Sequence, residues 1–271
     1  MHSFKSSPGR SFSGECAPMG GERYWEIDAL RGTAVVMMVV FHTVFALDFF
    51  GAAAVDLAQG PWRLFALSTA TLFIAVAGVS LSVSSARAAG HLDRRGVALK
   101  NLKRGAALFL LGMGITFVTW LFVPGEFILF GVLHCIGLSI ALSPLFLGFG
   151  KANIPAGAGI LLLAPVVASL TGPLALAWLG IHPAGFASLD YVPLIPWFGV
   201  FLMGMGLGAS LYPGGRRGFA VSPGEGPLTG GFTFLGRHSL VIYLVHVPVI
   251  LLALALVVPG FASSLFSFLM A

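Results

Sequence analysis

Apolar residues in this chain come in long runs, and polar residues in short clusters between them. A hydrocarbon core of ~30 Å is crossed by about 20 residues of helix. Seven runs qualify, at residues 27–50, 64–85, 105–123, 127–149, 154–171, 193–212 and 236–258. They predict an all-α fold, a polytopic transmembrane helix bundle of about seven spans. Pro165 interrupts the fifth run, and residues 174–179 can extend it only past Pro173. In the sixth, Gly204-Met205-Gly206-Leu207-Gly208 holds the Gly-xxx-Gly spacing of closely packed membrane helices. It also fits a loose dinucleotide-binding pattern, but no soluble strand precedes it, so packing is the expected role.

Residues 23–258 are expected to form one transmembrane domain. Residues 1–22 are rich in Ser, Gly and Pro, are expected to be a flexible cytoplasmic tail, and lack the apolar core of a cleavable signal peptide. Residues 259–271 are apolar but too short to span as a helix, so an interfacial segment or an incomplete further span is expected.

Composition agrees with this pattern. Hydrophobic residues make up 57% of the chain, charged residues 9%, and the mean hydropathy is +0.95. A soluble domain carries about 25% charged residues, so there is too little polar material here for a water-facing exterior. The net charge of +5 would suit nucleic acid, but the basic residues sit in short loops between apolar runs, where they signal topology. With the N-terminus in the cytoplasm, only Arg63 of the 15 Lys and Arg falls outside. Cys16 lies in the tail and Cys135 in an apolar run, which is no disulfide framework.

An ionisable group inside an apolar run is costly and marks a candidate functional site. His42 lies fourteen residues after Asp28, about 21 Å along the first helix and in the outer half of the membrane. A neutral imidazole there can act as general base. Asp48 can orient that ring or meet an acceptor, although a six-residue offset puts it off the same helix face. His134 and His246 can line the same cavity, bind substrate or, with Tyr243, donate to an oxyanion. For each histidine the plainer role is an interhelical hydrogen bond. Asp190, Tyr191 and Trp197 enter the sixth run from outside, where they can bind hydroxyls or an amine, or anchor the interface. Inside, Arg31, Lys103, Arg104 and Arg237, with Arg94, Arg95 and Lys100, form a basic rim. Such a rim serves positive-inside topology and anionic lipid, or grips a phosphate-bearing donor. No spacing of His, Cys and carboxylates makes a metal motif, and no metal is expected.

Four segments together carry a resemblance. They are Glu26-Ile27-Asp28-Ala29-Leu30-Arg31-Gly32 with His42, and Gly131-Val132-Leu133-His134-Cys135-Ile136-Gly137. The others are Asp190-Tyr191-Val192-Pro193-Leu194-Ile195-Pro196-Trp197-Phe198-Gly199, and Leu235 to Pro248 with Arg237, Tyr243 and His246. In this order the chain resembles the heparan-alpha-glucosaminide N-acetyltransferase catalytic-domain family, a branch of the transmembrane acyltransferases. The resemblance covers nearly all of residues 23–258. It implies transfer of an acetyl or other acyl group from cytoplasmic acyl-CoA to an amine or hydroxyl acceptor, a sugar in the lysosomal members, on the other side. In those members the central histidine follows the first helix, whereas residues 50–86 here hold none. The wider superfamily often places it in the first helix after an Arg-Gly pair, which maps to His42. Direct transfer and an acyl-histidine route both fit.

The expected protein is thus a multi-pass enzyme of a prokaryotic plasma membrane, with lipids around it and no nucleic-acid partner, and compatible with a homodimer. A transporter or lipid-binding protein without chemistry is the alternative, since buried histidines and broken spans serve transport too. The runs do not divide into matching halves. A retinal protein is excluded because the last run has no lysine.

Overall fold

The computed structural model describes residues 23–222 and 226–270, so the expected tail at 1–22, with Cys16, lies outside the described residues. Among the described residues, ten α-helices follow in order: α1 Trp25–Phe49, α2 Gly60–Ala88, α3 Arg94–Phe122, α4 Val132–Leu142, α5 Asn153–Leu162, α6 Ala164–Ala168, α7 Leu194–Leu211, α8 Pro227–Arg237, α9 Ser239–Val257 and α10 Phe261–Met270. Two isolated bridges, Phe130 with Tyr191 and Thr171 with His182, are the extended pairing among the described residues, and there is no sheet. Among the described residues, six helical stretches are long and apolar enough to cross a membrane. The chain is an all-α integral membrane protein.

Three of the expected runs take a different form. The fourth contains only the eleven-residue α4, continued by a 3₁₀ turn to Leu145. The fifth is divided where its proline stands, with α5 ending at Leu162 and α6 starting at Ala164. Residues 174–179 form a separate 3₁₀ turn beyond Pro173. The last run is split at His238, so Arg237 ends α8 and the membrane-length helix starts at Ser239.

Contacts fix the helix directions. Arg31 near the start of α1 reaches Ser80 late in α2, and Lys100 and Asn101 early in α3 reach Ser84 and Ser85. Gly105 meets Ala141, and Gly112 meets His134, so α4 returns along α3. Gly157 and Gly199 touch reciprocally, as do Gly206 and Ile154, which sets α5 against α7 in the opposite direction. Gly204 meets Ala75 and Gly208 meets Ser82, so α2 and α7 run together. His42 contacts His246, and Ala46 shares a cluster with Ile250, so α1 and α9 run together. Helices α1, α3, α5 and α9 therefore point one way, and α2, α4 and α7 the other.

Between membrane helices the hydrophobic effect supplies no attraction, and close packing of small residues takes its place. The glycines of α7 do this on two faces. Gly204 and Gly208 bring its backbone against α2, and Gly206 against α5. That confirms packing as the role of this motif. A similar approach joins α1 to α8. A side chain on Gly32 would run into the Phe232 carbonyl, and one on Gly236 into the Asp28 carbonyl. The α1 terminus is clamped as well. Glu26 accepts from Arg217 Nε and Nη2, both at 2.8 Å, and from the Tyr212 hydroxyl at 2.9 Å. The charged mouth of α1 is thus partly structural.

Candidate active site

At the start of α1 a cavity of about 480 Å³ opens between α1, α2, α3 and α8. Arg23, Arg31, Arg87, Lys100, Arg104 and Arg237 line it, with His91 and a single carboxylate, Asp28. Asp28 is buried and holds two of these cations. Its Oδ1 accepts from Arg31 Nη1 at 3.0 Å, and its Oδ2 faces Arg237 Nε at 3.4 Å. Arg31 also donates to Ser80 Oγ at 2.6 Å, which fixes its guanidinium toward α2. Arg87 stacks over the Tyr24 ring at 4.5 Å and donates to the Gly215 carbonyl. The excess of cations suits the cavity to a polyanion, and arginines suit paired hydrogen bonds to phosphate.

Arg31, Arg104 and Arg237, expected together in one basic rim, line this one cavity. Lys103 stands on an exposed face of α3, outside the cavity lining. Arg23, Arg87 and His91 are members that the reading of the sequence missed. Part of the signal was present on α2, where Ser80, Ser84 and Arg87 recur at helical spacing, with His91 in the turn that follows.

Eleven residues beyond Arg31, about 16 Å along α1, His42 meets His246 of α9. Their ring centroids are 4.7 Å apart and the planes lie at 86°. His42 Nδ1 pairs with the Met38 carbonyl at 2.9 Å, and His246 Nδ1 with the Tyr243 carbonyl at 2.6 Å. A carbonyl only accepts, so in each neutral ring Nδ1 carries the proton and Nε2 keeps a bare lone pair. His246 Nε2 is buried without a partner. The Tyr243 ring lies 5.6 Å from that of His246.

His134 is built in the opposite tautomer. The Gly131 N–H donates to its Nδ1 at 3.2 Å. The Thr116 hydroxyl gives its own proton to the Ile128 carbonyl at 2.6 Å, so it accepts from His134 Nε2 at 3.3 Å. The ring is 1% exposed, lies against Gly112, and meets Phe109 and Phe130. Both nitrogens are engaged, Nδ1 at the N-terminus of its own helix α4 and Nε2 across to Thr116 of α3.

Asp190 docks on the α4 N-terminus, where its Oδ2 accepts from the Val132 N–H at 3.0 Å. A carboxylate is favoured there by the helix dipole. It lies within electrostatic range of His42 and Tyr243. Burial holds its carboxyl above the ordinary carboxylate range, against the opposing pull of the Val132 N–H and of His42. The Tyr191 hydroxyl donates to the Ala177 carbonyl at 2.7 Å, its ring packs with His182 and Phe186, and burial raises its pKa. Trp197 packs against the apolar core around α7. Asp48 is not brought to His42. Its Oδ1 accepts from the Val55 N–H at 3.0 Å and folds the turn after α1.

Among the described residues no group of three or more His, Cys, Asp and Glu is placed to hold a metal ion. A family model described as heparan-alpha-glucosaminide N-acetyltransferase, catalytic, matches residues 23–248. The chain belongs to this family. No curated protein and no solved structure matches it. The heparan-alpha-glucosaminide N-acetyltransferase match spans both the cavity and the histidine pair, and with the bundle of apolar helices it supports a membrane acyltransferase.

Proposed function

We propose that the protein transfers an acetyl or other acyl group from cytoplasmic acyl-CoA to an amine or hydroxyl acceptor, a sugar, on the far side of a prokaryotic plasma membrane. The observation that carries this reading is the His42 ring, with a bare Nε2, standing on the same helix whose other end lines the cationic cavity. Arg31, Arg104 and Arg237 hold the phosphates of the donor, and Asp28 sets the first and last of them. The pantetheine arm follows α1 toward His42. His42 Nε2 takes the acceptor's proton as its nitrogen or oxygen bonds to the acyl carbon. The C–S bond then breaks, and the same proton passes to the thiolate.

Asp190 and Tyr243 shape the field around His42, and Tyr191 and Trp197 shape the outer mouth. His134 serves the acceptor side by holding the α4 N-terminus to which Asp190 is docked. Asp48 sets the outer turn. The alternating helix directions support seven crossings, with α4 as a short one, and the clustered cations support a cytoplasmic α1 start.

Thermal unfolding of the purified protein with coenzyme A tests the donor site. At about 100 times its Kd the ligand adds about 2.7 kcal/mol, a rise of several degrees in Tm. A transporter of an unrelated solute shows no such shift, and that result would contradict the reading.

A further inference from the structure

The cationic cavity has two levels. On α3, Lys100 comes one turn before Arg104, and on α2, which runs the other way, Ser84 and Arg87 come after Ser80. Arg31 donates to Ser80 at the deeper level, and Lys100 Nζ donates to Ser84 Oγ at 3.0 Å nearer the mouth. Arg87 lies seven residues beyond Ser80, about 10 Å along α2. The proposed mechanism uses the deeper cations and leaves Arg87 and Lys100 without a task. Yet Arg87 is built into place. Its guanidinium lies 4.5 Å over the Tyr24 ring, and its Nε donates to the Gly215 carbonyl at 2.9 Å. The Tyr24 hydroxyl donates to the same carbonyl at 3.0 Å, so ring and guanidinium are held as one stack. A Cβ on Gly215 would run into Arg87 Cγ, so glycine leaves the room for this side chain. The two Nη groups make no hydrogen bond among the described residues, although Arg87 lines the cavity. The one carboxylate of the lining, Asp28, is already engaged by Arg31 and Arg237.

We infer that Arg87 and Lys100 form a second anion subsite, which takes the 3′-phosphate on the donor's ribose and selects coenzyme A thioesters over forms that lack this phosphate. The inference rests on the acyl-CoA reading for the identity of the donor, and on the two levels of the cavity for the placement. The donor is a linear molecule: acyl carbon, pantetheine arm, pyrophosphate, then a ribose with its own phosphate. Along the protein, His42, the level of Arg31 and Arg104, and the level of Arg87 and Lys100 follow in the same succession. With the acyl carbon at His42 and the pyrophosphate at the deeper level, the ribose comes to the mouth. A phosphomonoester carries about −1.5 to −2 charges at neutral pH and three acceptor oxygens. A fixed guanidinium suits two of those oxygens through paired hydrogen bonds, and an ammonium beside it adds a point charge. The guanidinium is oriented before the ligand arrives, so little freedom is lost when it binds. No carboxylate competes there, since Glu26, next to Tyr24 in the chain, is taken by Arg217 and Tyr212.

The test compares coenzyme A with dephospho-coenzyme A, which differ only in this phosphate. Both are titrated calorimetrically into the purified protein in phosphatidylcholine nanodiscs, where no anionic lipid competes for the cavity. Wild type binds coenzyme A at least about tenfold more tightly, the usual weight of a hydrogen bond to a charged group. Arg87→Gln removes most of that preference by weakening coenzyme A, and Kd for dephospho-coenzyme A stays near the wild-type value. Lys100→Gln narrows the preference in the same direction. A side chain that only braces the loop after α7 would weaken both ligands alike, and that result overturns the subsite. Equal binding of the two ligands by wild type also overturns it, while leaving the acyl-CoA reading intact. If wild type binds neither, the acyl-CoA reading itself falls and the subsite with it. If Arg87→Gln does not fold, the wild-type ratio and Lys100→Gln decide, and an unchanged ratio in Lys100→Gln then counts against the subsite.

Discussion

Replacement of His42 by Ala lowers acyl transfer by about 10²–10⁴-fold, the usual contribution of a positioned general base. The loss is expected in kcat. The donor cavity lies about 16 Å away along α1, so the KM for acyl-CoA stays near the wild-type value. The variant also remains folded, because the one hydrogen bond His42 makes runs to Met38 on its own helix and joins no second helix. His134→Ala behaves differently, since its ring ties α3 to α4 through Thr116 and Gly131. Turnover by purified, correctly folded His42→Ala at the wild-type rate would assign the base to another group.

The second large effect is on donor binding, and neighbouring residues separate it from general charge. Arg104→Gln and Arg31→Gln each raise the KM for acetyl-CoA by about 10- to 100-fold, since a hydrogen bond to a charged group contributes about 1.5–3 kcal/mol. Lys103→Gln removes the same formal charge one position from Arg104, but outside the cavity lining, and changes KM little. Arg31 is the more demanding test, because its loss also frees Ser80 and one oxygen of Asp28. Arg104 reports phosphate contact more cleanly. Equal effects from Lys103 and Arg104 would mean that a diffuse positive surface, rather than this cavity, attracts the donor.

Much of this arrangement was legible in the sequence, and the missing parts share a physical cause. Long apolar runs set the helices, Pro165 set the α5–α6 break, and the α7 glycines were recognisable as packing surfaces. Facing was not legible. In water a helix shows its buried side by contrast with a polar one, but lipid lets both sides be apolar. In α9 only His246 and Ile250 are buried, among residues that are nearly all apolar. Nothing local states that His246 turns to His42. The tautomers were equally hidden, since they depend on carbonyls and hydroxyls brought up by folding. Asp48 was read with His42 because both sit on α1, but its partner, Val55, is supplied by a loop. Likewise the last expected run started at Gly236 and left most of α8 outside it, because α8 is fixed by its packing through Gly236 on Asp28 rather than by a long apolar run.

The central claim is that α1 connects a donor cavity to a histidine base. An experimental structure with a non-transferable thioether analogue of acetyl-CoA tests it most directly. The account predicts the nucleotide among Arg31, Arg104 and Arg237, and the thioether carbon beside His42 and His246. Nucleotide density at the opposite end of the bundle, or a thioether end remote from both histidines, would contradict it.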